Sequence, residues 1–527
     1  MNKANTRFFS LAGLSLMVAL APVACSSDDD DDNTNTTGGT SSNGGKSGSA
    51  GTSGSAGKSN TAGTPSTGGT SGNDVGGDTG DAGAGGGGPV AKTRLRVVHA
   101  SPNAPAVDIY PKGSATAALE GVAYGDATEF IEVDAGEIAF DLREAGADPT
   151  DAPAFTTADI DLNGDVDYTI VAAGDFSDPT DDDVGFRLLP LEHDFEAAAA
   201  GSAVARIVHA TSAWETVDLD IVGSPDVDVP GIDRFADEDN VMLPSGATID
   251  IDFENTDGVL SKLVLPKLAA KSELFVIATG NPGFPFRAPA NGFALLVVDQ
   301  DGKVSWVKEN PWLHVVHVSD IGPTDIYEST HEDADDVLVD SLESETLGAF
   351  QLPASNTGFT LRAVDDSATS GSATALATGE TSTLAVGEHY LGYIAGNTIQ
   401  TIHEQFDLEQ PNKVLLRAVH AAKSTAIPET LDIGPVVSDE LKSTLFAGIE
   451  PAASADEEGV AINPGNVILG AAATTTTAPL LAQKTLSGDD APIKGETDFV
   501  LVTGTTLDAD SANIWLVNTS VAGWSLR

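Results

Sequence analysis

Histidine and aspartate recur together four times along the chain: His99 with Asp108, His209 with Asp218, His317 with Asp325, and His420 with Asp432. A histidine beside a carboxylate can act as a general base whose orientation the acid fixes. The same two residues can instead tie a strand to a turn, since half-buried polar groups need hydrogen-bond partners. The pattern favours the second reading. No serine, cysteine or second acid accompanies the pair consistently, and a pair present in every repeat suits a fold determinant better than a single active site. No catalytic residue is assigned, and the chain is read as non-enzymatic.

Acid-rich loops are the other chemistry on offer: residues 161–167 (DLNGDVD), 178–183, 233–239 and 331–336. Oxygen-rich loops suit Ca²⁺, which takes six to eight hard ligands. Asp161, Asn163, Asp165 and Asp167 are the weak Ca²⁺ candidates. None of these loops has the complete twelve-residue Ca²⁺ pattern, and Asn163-Gly164 is a hairpin-turn dipeptide. Turn chemistry is the simpler account, so no cofactor is assigned.

The elements that must position these residues are strands. The stretch LRVVHASPNAPAVDIY, Leu95 to Tyr110, returns in altered form from Ala205, Leu313 and Leu416. The motif histidines are 110, 108 and 103 residues apart, a spacing that fits one small domain per repeat rather than a solenoid turn. Each repeat holds the same order of alternating, β-branched runs, punctuated by Gly, Pro, Asn and Asp. His99 shares its strand face with Leu95 and Val97. A short helical pattern shows only at 440–449. The expected fold is all-β: four tandem antiparallel β-sandwich domains, immunoglobulin-like or related. Their expected bounds are 93–199, 200–310, 311–411 and 412–527, the last divergent. Phe284, Phe286 and Arg287 in one loop, with Trp306 and Trp312 between repeats 2 and 3, point to packing between adjacent sandwiches.

The N-terminus sets the location. Residues 1–24 read as an export signal, with Lys3 and Arg7 before an apolar run from Phe8 to Ala21 that is too short to span a membrane. Cys25 follows and is the only cysteine in the protein, which excludes disulfides within the chain. Residues 25–92 are rich in Ser, Gly, Thr and Asp, with Val75 and Val90 the only large aliphatics, so this segment is expected to be a disordered tether. Its root-mean-square reach is roughly 45 Å. A net charge of −53 excludes nucleic acid and electrostatic binding to anionic lipid.

Two resemblances follow from these residues. APVAC with its polar continuation resembles a bacterial lipoprotein signal, although Pro22 stands where leucine is common. That resemblance implies a lipidated Cys25, and Ser26 in place of aspartate permits delivery to the outer membrane. The signature HASPNAPAVDIY resembles the bacterial exported family called domain of unknown function 4397. The match is close from Arg96 to Gly174. Repeat 2 keeps RIVHA, repeat 3 keeps VVH and DIY, and repeat 4 diverges most. The family implies an exported β-rich module of unassigned activity and brings no catalytic residues.

The expected protein is therefore a cell-envelope lipoprotein, held to the membrane by its lipid and displaying β-sandwich repeats in a structural, adhesive or ligand-binding role. Its partner would be a cell-surface protein or a polysaccharide. Two alternatives stand beside it: a polysaccharide hydrolase using paired carboxylates, and a stalk stiffened by Ca²⁺.

Overall fold

The computed structural model describes residues 91–225, 227–287, 291–422, 430–455, 458–474, 479–504 and 512–527. The export signal, Cys25 and nearly all of the expected tether lie outside the described residues. The fold is all-β: strands joined by turns, with two 3₁₀ segments at Ala334–Asp336 and Gly488–Asp490. The expected helical stretch at 440–449 forms two short strands instead, Glu440–Leu441 and Phe446–Ile449. Phe446 and Ile449 are buried in the core of repeat 4, and that burial overrides a weak local preference.

Each repeat builds two layers. The first holds a motif strand: Lys92–His99, Ser202–His209, Trp312–His317 or Val414–His420. The second holds the strand that carries the motif aspartate: Val107–Pro111, Thr216–Ile221, Thr324–Glu328 or Leu431–Val437. Between the layers lies an apolar core, one for each repeat. In repeat 3 the layers also join at their edges through the pair Thr378–Thr398, giving one eight-stranded path.

One pairing departs from the expected antiparallel pattern. In all four repeats the motif strand runs parallel to a late strand: Asp167–Ala173, Glu273–Thr279, His389–Ala395 and Thr497–Thr503. The chain leaves the motif strand for the second layer and returns to the first in the same direction, the long crossover that a parallel pair requires.

The motif strands are buried on both faces. Leu95 and Val97 face the core of repeat 1, whereas Val98 and Ala100 face repeat 2. Ile207 faces the core of repeat 2, and Val208 and Ala210 face back toward repeat 1. Phe275, Ile277, Leu296 and Val298 complete this joint. Repeats 3 and 4 meet in the same way, through Val316, Leu391, Tyr393, Leu415, Val419, Phe499 and Leu501. Double burial explains why LRVVHA reads as a nearly continuous apolar run rather than a strict alternation.

The junction of repeats 2 and 3 is packed, as its aromatics suggest. The Phe286 N–H of repeat 2 donates to the Gly387 carbonyl of repeat 3 at 2.7 Å, and Trp312 Nε1 donates to Glu309 at 2.9 Å, whereas Trp306 packs toward repeat 1, 5.3 Å from the Tyr124 ring. Gln351 of repeat 3 accepts the Lys262 N–H of repeat 2 at 2.7 Å.

Candidate functional site

The motif aspartates occupy equivalent structural positions. Asp108, Asp218, Asp325 and Asp432 each sit at a register shift between the second-layer strand and its neighbour. In each case two residues of the neighbour oppose the aspartate, which is the geometry of a β-bulge. The second of those two has a left-handed backbone: Gly121 at φ 65°, Gly231 at 68°, Ser341 at 51° and Gly448 at 64°. Its N–H donates to the aspartate at 2.7, 2.7, 2.9 and 2.8 Å respectively. Asp108 also accepts the Gly146 N–H at 2.9 Å.

The motif histidines end the motif strands, and their carbonyls accept from a second left-handed residue: Gly125, Phe235, Glu345 and Ala452. His99 Nε2 lies 3.3 Å from the Pro105 carbonyl, and His317 Nε2 lies 2.9 Å from that of Gly322. His209 is buried without a partner on either ring nitrogen, and burial pushes its pKa down to about 4. In repeats 1 and 3 histidine and aspartate thus bind different partners and form no dyad. Both positions act on the backbone.

The Ca²⁺ candidates do not converge. Asp167 pairs with Arg94, Asn163 donates to Glu192 at 3.0 Å, Asp165 holds a left-handed turn at φ 60°, and Asp161 lies in the short strand Ile160–Leu162. Among the described residues no group of three or more His, Cys, Asp or Glu side chains is placed to hold a metal ion. The 178–183 loop spends its carboxylates on turns and a joint: Asp181 accepts the Asp183 and Val184 N–H groups at 2.8 Å, and Asp183 pairs with Arg234 of repeat 2.

What the sequence did not reveal is a cleft of about 310 Å³. Repeat 2 contributes Phe284 and Pro285, the connection from repeat 3 to repeat 4 contributes Glu404 and Lys413, and repeat 4 contributes Glu496 and Thr519. Glu404 and Glu496 are both buried. Arg287 of repeat 2 pairs with Glu404, and Arg527 Nη2 lies 2.7 Å from Glu496. Burial pushes the Glu404 carboxyl up, against the pull of Arg287. Beside them burial, reinforced by Glu496 and opposed by Arg527, pushes Asp498 up to about 7. No motif marks this cleft, because its residues come from segments far apart in sequence. Phe284 and Arg287 are the residues here that the sequence singles out, as packing residues.

Residues 93–220 match the family described as Domain of unknown function (DUF4397). The match covers about a quarter of the chain and confirms the resemblance carried by HASPNAPAVDIY. It runs through the first repeat and on to the motif and aspartate strands of the second. A comparison with curated proteins finds no match.

Proposed function

We propose that this protein is an exported, lipid-anchored envelope protein whose four β-sandwich repeats form a rigid, non-catalytic binding head. In this reading repeats 2 to 4 are divergent copies of the first, Cys25 carries the lipid, and the Ser/Gly-rich segment is the tether. The observation that carries the proposal is the use of the motif strand as a joint. Two-sided burial in both pairs favours a stiff display body over beads on a string. The cleft supports the ligand-binding part, since its volume is at the lower end for small-molecule sites and it mixes an apolar wall with a few polar groups.

Two measurements test the proposal. Cys25→Ala should release the protein from the membrane fraction, and unchanged partitioning would refute the anchor. Thermal melts of the full chain with a panel of envelope oligosaccharides should show a shift with at least one, lost in Leu408→Trp, which fills the cleft that Leu408 lines. No shift with any sugar would refute the cleft as a saccharide-binding site. The buried pair Glu404 and Glu496 also supports a second reading, a polysaccharide hydrolase. Turnover of the same panel, abolished in both Glu404→Gln and Glu496→Gln, would establish it in place of the first.

A further inference from the structure

Three residues before each motif histidine, the motif strand carries Arg96, Arg206, His314 and Arg417. All four lie on the face turned away from the sandwich core, toward the partner repeat. The three arginines have acceptors there. Arg96 donates to Thr169 Oγ1 at 2.9 Å and to the Asp299 carbonyl at 3.1 Å. Arg206 bonds to Asp237 and to Asp194. Arg417 donates to the His403 carbonyl at 2.6 Å and to Ser454 Oγ at 3.0 Å.

His314 differs. Its ring is stacked on Trp524 of repeat 4 at 4.0 Å with an interplanar angle of 8°, and His389 stacks near it at 5.4 Å. Both nitrogens of His314 and both of His389 are buried without a hydrogen-bond partner, as are Trp524 Nε1 and Glu309 Oε1. So many unmet polar atoms at one joint call for a physical role.

We infer that the joint between repeats 3 and 4 is an acid-released clasp, in which neutral His314 packs flat against Trp524 and protonated His314 drives the two repeats apart. His389 Nε2 lies 3.7 Å from Glu309 Oε1. The other carboxylate oxygen of Glu309 already accepts from Trp312 Nε1 and Ser261 Oγ. The remaining charged groups on the packed elements are committed elsewhere: Glu404 to Arg287, Arg417 to its two acceptors, and Asp498 to Arg527. His314 therefore gains a proton with no acceptor and with Arg417 on the opposing face, and an unpaired buried charge is costly.

The sign follows from linkage. Burial, with His389 beside it, holds the His314 imidazole well below the usual histidine range. A histidine depressed in the folded state supports the joint fully above its unfolded value, about 6.5, and that support is lost as pH falls. At the joint of repeats 1 and 2 both equivalent positions are arginine.

Hydrogen exchange of the full chain at pH 7.5 and 5.5, corrected for intrinsic rates, tests the clasp. Peptides covering 389–395 and 513–526 should exchange about tenfold faster at pH 5.5. His314→Phe, which keeps a flat neutral ring, should remove the response. No acid response in the wild type, or an equal response in His314→Phe, would overturn the proposal. If His314→Phe fails to fold, the difference in emission between wild type and Trp524→Phe decides: it must change between pH 6.5 and 5, and a constant difference overturns the clasp.

Discussion

Asp108 and Gly121 face each other across a β-bulge, with the Gly121 N–H donating to the carboxylate at 2.7 Å. A left-handed residue displaces the ladder by one position, and the carboxylate receives the N–H that the displacement leaves without a carbonyl. Repetition of this bond in four diverged repeats gives the VDIY aspartate a backbone role. Asp108→Ala leaves the Gly121 and Gly146 N–H groups unpaired and should cost about 1–3 kcal/mol in urea unfolding.

Ser341 holds the same place in repeat 3 with φ 51°. A side chain in this region is strained by roughly 1–2 kcal/mol, so Ser341→Gly should stabilise repeat 3 by about 0.5 kcal/mol after the larger entropy of an unfolded glycine is counted. A melting temperature below that of wild type would contradict the strain argument.

The late strand of repeat 2 ends at Gly280, with φ 95°, and a Cβ there would lie 2.3 Å from the Gly292 carbonyl oxygen. Gly280→Ala therefore meets backbone as well as strain and should cost about 2–4 kcal/mol. Gly113, at φ 76° in open space, is the control, and Gly113→Ala should cost only about 1 kcal/mol. Equal losses in denaturant melts would show that strain alone matters.

His209 contributes a pH dependence of its own. Its pKa, pushed down to about 4 by burial, lies below the unfolded value of about 6.5, so the folded state resists a proton that the unfolded chain accepts. Stability from this residue is complete above about pH 6.5 and declines toward pH 4, by up to about 3 kcal/mol. His209→Gln should flatten the stability of repeats 1 and 2 over that window. A slope unchanged from wild type would show that His209 is solvated.

The repeats, the succession of strand-like runs in each and the inward face of the motif strand were legible because apolar period and turn residues are local signals. Parallel pairing was not, since nothing in residues 167–173 or 92–99 specifies strand direction. Nor were the left-handed Phe235, Glu345 and Ala452: tertiary bonds to the motif histidine carbonyls hold residue types that local preference would not place there. The unbroken apolarity of LRVVHA reflects a second buried face that the structure reveals. Aligning Arg96, Arg206, His314 and Arg417 would have singled out position 314, but its meaning requires Trp524, more than two hundred residues away. The cleft was hidden for the same reason.

The most direct test of the motif strand as a joint is peptide-resolved hydrogen exchange of the full chain carrying Phe275→Ala. Phe275 is a repeat 2 residue whose ring packs in the joint with repeat 1, and its truncation should cost about 3–5 kcal/mol. We expect the strands Lys92–His99 of repeat 1 and Ser202–His209 of repeat 2 to lose protection together, while repeats 3 and 4 change little. Loss confined to repeat 2, with Lys92–His99 as protected as in the wild type, would contradict the account and leave four independent beads.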